Sequence, residues 1–132
     1  MKKFTPSLLG LICVLFATAT HAQVPPEQAR NFQINATHTG SVTSEHLTPP
    51  LRQRWAVNFG RSPSYPIIAN GRVYVVLKST AGNGTSLYAL NAANGATLWA
   101  WGLGGIRPWS ALCFENGRLF ALNSDGVLRA LR

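Results

Sequence analysis

The sequence predicts an all-β fold of short antiparallel strands, and three observations carry that prediction. Glycine and proline are frequent, at 12 and 8 of the 132 residues, while only 12% of residues are charged, a balance that suits many turns better than long helices. Five Asn-Gly or Asp-Gly dipeptides, at 70–71, 83–84, 94–95, 116–117 and 125–126, punctuate the second half of the chain. Short apolar runs separate them, and the hydrophobic content of 46% is enough for a buried core. Asn-Gly and Asp-Gly accept the positive φ angles of type I′ turns, so each dipeptide is expected to mark a hairpin.

The first element is a leader. Met1-Lys2-Lys3 provides a positive start, residues 8–17 an apolar run, and Thr20-His21-Ala22 a small-x-small end, so 1–22 reads as a secretory signal peptide cut after Ala22. The apolar run is shorter than the roughly 20 residues a spanning helix needs, so no transmembrane segment is expected in the mature chain. Cys13 follows Ile12 inside the apolar run, without the small neighbour that lipid attachment requires, and lipidation is not expected. Beyond the leader, ten basic residues (nine arginines and Lys78) stand against four acidic ones, a net charge of +6. The arginines are scattered, with only Arg52 and Arg54 close together, which describes a solvated basic surface rather than a nucleic-acid or membrane footprint.

Residues 23–51 form the second element, a polar arm with Pro25-Pro26 and Pro49-Pro50 near its ends and no sustained period. It is expected to be extended or looped. From Arg52 onward the strands are expected at 52–59, 64–69, 72–77, 86–91, 96–101, 110–114, 118–123 and 126–131, with the turn dipeptides between them. The run Val73-Tyr74-Val75-Val76-Leu77 is apolar on both alternating faces, as in a sheet covered on both sides.

These strands repeat. Asn70-Gly71-Arg72-Val73-Tyr74-Val75 matches Asn116-Gly117-Arg118-Leu119-Phe120-Ala121 at a shift of 46, and Leu87-Tyr88-Ala89-Leu90 matches Leu128-Arg129-Ala130-Leu131 at a shift of 41. Trp55 and Trp99 stand 44 apart, each followed five residues later by glycine, Gly60 and Gly104. A period in the mid-forties with four strands per unit belongs to β-propeller blades. The expectation is a partial β-propeller over 52–132, comprising one outer strand, one full four-stranded blade and three strands of a second.

The repeat resembles a known family, the repeats named after pyrroloquinoline quinone (PQQ). That family's pattern is Ala-x-Asp-x-x-Thr-Gly-x-x-x-Trp. Here Ala89, Gly95 and Trp99 match it, with Asn91 and Asn94 where aspartate and threonine are usual. Gln33-x-Asn35-Ala36-x-His38-Thr39-Gly40, followed by Pro49-Pro50-Leu51 and Trp55, resembles the opening segment of exported propellers of this type. With the leader, compatible with bacterial export, the expected location is the periplasm or the medium. The resemblance includes envelope scaffold propellers that bind other proteins, and it includes quinone-dependent dehydrogenases. The quinone enzymes carry calcium ligands, a catalytic aspartate and often adjacent cysteines. This chain has Asp125 as its only aspartate and no adjacent cysteines, so no PQQ or calcium site is carried over.

Candidate sites are few. Trp55 and Trp99 are expected to pack between blades, since one indole per unit at fixed spacing is explained by the repeat itself. Trp109 aligns with Pro63 and falls outside the repeat, which singles it out as a possible ligand contact. His38 and His46 lack a third metal ligand at a recognisable spacing. No Gly-x-Ser-x-Gly elbow is present, and Gly102, Gly104 and Gly105 read as loop glycines. Asn35-Ala-Thr37 and Asn83-Gly-Thr85 fit the glycosylation pattern, to which a Met-Lys-Lys leader lends little weight. Cys113 has no partner beyond the leader and is expected to be a buried, inert thiol. No catalytic, cofactor or metal residue is assigned.

A closed propeller needs about four to eight blades, more than this array supplies. Three explanations are open: a truncated copy of a longer propeller, which is preferred; a head-to-tail homo-oligomer in which strand 52–59 of one copy lies beside 126–131 of the next; and a stand-alone two-blade monomer. The function expected is a non-catalytic, exported repeat module that contacts proteins. The alternative is a piece of a PQQ-dependent dehydrogenase for alcohols or sugars.

Overall fold

In a computed structural model, which describes residues 28–41, 48–80 and 82–132, the chain is all-β, without a helix among the described residues. The leader with Cys13, and His46 in the arm, lie outside them. Seven strands form: β1 (Ile67–Ala69), β2 (Arg72–Lys78), β3 (Thr85–Asn91), β4 (Thr97–Gly104), β5 (Ser110–Glu115), β6 (Arg118–Asn123) and β7 (Leu128–Leu131). They make two antiparallel meanders, a four-stranded sheet in the order β1-β2-β3-β4 and a three-stranded sheet in the order β5-β6-β7.

The repeat seen in the sequence is reproduced residue by residue in the pairing. In the first sheet Val73 lies opposite Leu90, Tyr74 opposite Ala89, Val75 opposite Tyr88 and Val76 opposite Leu87. In the second, Leu119 lies opposite Leu131, Phe120 opposite Ala130, Ala121 opposite Arg129 and Leu122 opposite Leu128. Every pair is carried onto its counterpart by the same two shifts. A one-residue slip would turn the buried set outward, so equal register means that equivalent side chains face the same way in both sheets.

The main core lies between the sheets. Ile67, Ala69, Tyr74, Val76, Leu87, Ala89 and Leu103 of the first meet Phe114, Leu119 and Ala121 of the second, with Tyr74 and Phe114 stacked at 6.4 Å. The opposite face of the first sheet, Val73, Val75 and Leu90, is covered by Trp55 and Phe59 with Tyr88 and Ala92. Both faces of β2 are therefore buried from Val73 to Leu77, as its uninterrupted apolar run requires.

Several expectations are corrected. Residues 52–59 do not form a strand: the segment lies on the first sheet through its side chains and has no ladder partner among the described residues. The first predicted strand, 64–69, shrinks to Ile67–Ala69, because Pro66 offers no N–H to the ladder; Pro63 and Ser64 still reach β2 through an isolated bridge to Leu77 and a Ser64 N–H bond to the Val76 carbonyl at 2.8 Å. The last strand begins at Leu128 rather than 126, since Gly126 belongs to the turn closed by its N–H to the Asn123 carbonyl. Conversely β4 runs on to Gly104, so Gly102 and Gly104 are strand residues and only Gly105 is in the connection. The ladder shifts register between Thr85 and Ser86, which lie opposite Gly104 and Gly102, so Leu103 is the extra residue there, and it is buried in the core.

Two of the five dipeptides make the expected turn. At Asn70-Gly71 and Asn116-Gly117 both residues have positive φ, 49° with 70° and 48° with 74°, as type I′ demands. At 83–84, 94–95 and 125–126 only the glycine is left-handed. Those connections are longer, so the chain can reverse without two adjacent left-handed residues.

The polar arm is partly docked. The Ile68 N–H donates to the Ala29 carbonyl and the Phe114 N–H to the Arg30 carbonyl, both at 2.8 Å, so residues 29–30 tie β1 to β5 along the inner edges of the sheets.

Candidate functional site

The inner end of the seam carries two neighbouring cavities. One, of about 230 Å³, is lined by Phe32, Ser64, Tyr65, Ile67, Ser110, Ala111 and Leu112. The other, of about 470 Å³, includes Arg61, Pro63, Lys78, Pro108 and Trp109 and shares Ser64 and Ser110 with the first. Trp109, 53% exposed, and the repeat-equivalent Pro63 thus line the same cleft. The tryptophan outside the repeat is one of three exposed aromatic residues along this groove, with Phe32 and Tyr65, which meet edge to face at 5.4 Å.

The polar groups here are held by the fold. Arg61 Nη1 donates to the Lys78 carbonyl at 2.7 Å, Ser64 Oγ accepts the Val76 N–H at 2.9 Å and donates to the Tyr65 carbonyl, and Ser110 Oγ pairs with Thr85 Oγ1. The groove offers aromatic surface and two cations. Its lining includes no histidine, cysteine or carboxylate that could transfer a proton or attack a substrate. Trp109→Ala is expected to change the unfolding free energy by less than about 0.5 kcal/mol, the range for an exposed side chain away from the core. A loss several times larger would make Trp109 a packing residue.

The repeat tryptophans take seats at the sheet edges. Trp55 Nε1 donates to the Ala92 carbonyl at 3.0 Å, and its ring lies over Gly95. Trp99, 38% exposed, sits 6.1 Å from Tyr74 and borders a recess lined by Gly117, Leu131 and Arg132 of the second sheet. Ala89 is fully buried in the core. Asn91 and Asn94 shape the β3–β4 loop: the Asn91 Oδ1 accepts the Ala93 N–H at 2.8 Å and the Asn94 Oδ1 the Ala96 N–H at 3.0 Å. The two asparagines do by short-range hydrogen bonding what the family's aspartate and threonine can also do. The motif residues therefore surround a turn and its tryptophan, and Trp109 lies in a separate groove.

The residue that motif reading missed is Asn123. It is 1% exposed; its Nδ2 donates to the Leu103 carbonyl at 2.9 Å, and its Oδ1 accepts from the N–H groups of Asp125 and Val127. Asp125 Oδ1 in turn accepts the Ile106 N–H at 2.8 Å, and Ser124 Oγ the Arg107 N–H at 2.9 Å. The Asn-Ser-Asp-Gly turn thereby clamps the connection between the sheets. Asn123 followed by Ser-Asp-Gly is the only signal the sequence carried.

The arm motif is a self-contained loop. His38 Nδ1 lies 2.8 Å from the Phe32 carbonyl, and Asn35 bonds Thr37 and Thr39 through its side chain. Among the described residues no three His, Cys, Asp or Glu side chains stand close enough to hold a metal ion, and no helix is long and apolar enough to cross a membrane. Cys113 is half-buried on β5, and burial first, then the nearby Glu115 charge, push its thiol above its ordinary pKa. Its thiolate is therefore scarce at neutral pH. Alkylation by a maleimide is expected to be slow at pH 7, to rise as pH climbs past the usual thiol range near 8.5, and to quicken in Glu115→Gln. Equal rates in the parent and the variant would remove Glu115 from the account.

Comparison with protein-family models, with curated proteins and with solved structures returns no match for this chain.

Proposed function

We propose that the chain is an exported, non-catalytic module of PQQ-type β-propeller repeats whose role is to contact other proteins in the cell envelope. The observation that supports this most is the shared register of the two sheets: the pairs Val73–Leu90 and Leu119–Leu131, and the three pairs that follow each, are related by the shifts found in the sequence. Face-to-face meanders with equivalent register are what successive propeller blades require, and the seat of half-buried Trp55 over Gly95 fits the use of one indole per blade. Fold alone does not choose a function. A contact role is supported by the groove, whose exposed Phe32, Tyr65 and Trp109 with Arg61 and Lys78 offer aromatic and cationic surface to a partner; the alternative is a fragment of a dehydrogenase whose cofactor lies in other blades.

Two measurements test the reading. Expression in a bacterial host should deliver a mature chain beginning at Gln23 to the periplasm, as read by mass. Addition of PQQ with calcium should leave the melting temperature unchanged, because a ligand that binds only the folded state must raise it. Retention of the leader in the cytoplasm overturns export, and a rise in melting temperature overturns the non-catalytic role in favour of a dehydrogenase fragment.

A further inference from the structure

The groove beside Trp109 extends past the two cavities that define it. A third recess, of about 330 Å³, includes Phe59 and Thr80 and shares Arg61 and Lys78 with the second cavity, just as the second shares Ser64 and Ser110 with the first. The first and the third share no residue. They are therefore the two ends of one trough, aromatic at Phe32 and Tyr65 and cationic at Arg61 and Lys78, with Trp109 between them. Both walls lie within the described residues, 61–65 and the end of β2 on one side and 108–112 on the other.

The two cations are held by the backbone and not by anions. Arg61 donates from Nη1 to the Lys78 carbonyl at 2.7 Å and from Nε to the Phe59 carbonyl at 3.4 Å, so two of a guanidinium's five N–H donors are used and three remain. The Arg61 and Lys78 side chains line the same two recesses, which sets two like charges side by side. The only carboxylates among the described residues stand elsewhere: Glu115 at the far end of β5, and Asp125 on the Ile106 N–H. Neither lines the trough. A cleft lined by one sign of charge concentrates the opposite sign, and apolar walls strengthen that attraction.

The rest of the lining selects what carries the anion. Phe32 and Tyr65 meet at an interplanar angle of 70°, so they present a notch and not a plane on which a sugar ring or a nucleic-acid base can lie. The Ser64 and Ser110 hydroxyls are engaged by Val76, Tyr65 and Thr85, while Arg61 and Lys78 only donate, which leaves few acceptors for the hydroxyls of a saccharide. A notch for an apolar side chain, an exposed indole and a pair of cations, in that order along one trough, match a polypeptide that carries apolar and acidic side chains on a single backbone.

We infer that the trough binds an extended acidic segment of a partner protein, with an apolar side chain at Phe32 and Tyr65 and carboxylates at Arg61 and Lys78. The inference rests on the contact role proposed above and gives the partner its chemistry. Trp109 supplies apolar area at the centre of the contact, and Lys78 supplies charge at its end.

The test pans a phage-displayed library of short random peptides against the full chain, and the recovered peptides are synthesised with a fluorescent label and titrated. They are expected to carry several carboxylates close to an aromatic or aliphatic residue. Their Kd is expected to rise about tenfold or more in Trp109→Ala and about tenfold in Lys78→Gln, and added salt should weaken binding less in Lys78→Gln than in the parent. Arg54→Gln removes the same charge from an exposed position outside the trough and should change Kd by less than about twofold. Trp109 and Lys78 are exposed, so both trough variants are expected to keep the parent's urea midpoint. Acidic peptides that bind both trough variants as well as the parent overturn the trough as their site and leave the contact role standing. Neutral or basic peptides that respond to Trp109→Ala overturn the acidic partner and also leave the contact role standing. Recovery of no peptide overturns the inference, and if oligogalacturonate or oligothymidylate then binds with the same two sensitivities, the contact role falls with it.

Discussion

Gly95→Ala is expected to destabilise the fold by about 2–5 kcal/mol, combining roughly 1–2 for a non-glycine residue in the left-handed region with 1–3 for overpacking. Both contributions are visible at this position. Gly95 has φ 75°, and a Cβ added there would lie 2.7 Å from Cε3 and 2.9 Å from Cδ2 of Trp55. The indole cannot simply withdraw, because its Nε1 is bonded to the Ala92 carbonyl and its ring covers Val73, Val75 and Leu90. Gly71 and Gly117 separate the two contributions: their φ values are 70° and 74°, but nothing lies within 4 Å of an added Cβ. Alanine at either should cost only the backbone share, about 1–2 kcal/mol. Urea midpoints for the three variants check this. In Trp55→Ala the further loss from Gly95→Ala should fall toward the value found at Gly71, since the two closest contacts are gone and only Val57 Cγ2, 3.1 Å away on an exposed side chain, remains. Equal losses at all three glycines in the parent would mean that Trp55 does not sit on the turn.

Asn123→Ala is expected to lower stability by a similar amount, about 3 kcal/mol, mostly from the buried Leu103 carbonyl that loses its donor, at 1–3 kcal/mol for an unsatisfied buried group, plus the space left behind. The two N–H groups on Oδ1 belong to exposed residues, Asp125 and Val127, and water can replace that half of the interaction. Ser124→Ala, one residue along, removes only bonds to the exposed Arg107 backbone and should cost no more than about 1 kcal/mol. Hydrogen exchange gives a second readout: the Asp125 and Val127 amides should lose protection in Asn123→Ala while those of β2 and β3 keep theirs. If both variants cost the same, the amide of Asn123 does not anchor the second sheet to β4.

The strands from Arg72 to Asn123, apart from the last three residues of β4, were legible to within a residue because alternation and turn dipeptides are local signals. Val73 to Leu77 announced burial on both faces, and Asn70-Gly71 and Asn116-Gly117 announced their turns. The failures share a cause. Residues 52–59 have the composition of a strand and the spacing of β4, but a strand exists only with a partner, and none of the described residues supplies one. Pro66 broke the first strand by removing a donor that the apolar pattern around it concealed. Asn123 looked like an ordinary turn residue, because burial of its amide depends on β4 passing above it twenty residues earlier in sequence. The groove beside Trp109 was signalled only by the tryptophan's falling outside the repeat; Arg61, Lys78 and the arm aromatics that share the seam with it come from separate stretches of chain.

Side-chain alternation, left-handed glycine turns and a doubled pattern are properties of neighbouring residues, so the linear chain alone specifies an all-β meander and its internal repeat. The order in which faces cover one another is not local. That Trp55 and Phe59 close one side of the first sheet and Leu119 and Ala121 the other follows from contacts between residues distant in sequence. Such contacts form only where apolar area can be buried and backbone donors paired, and tertiary structure alone decides where that is.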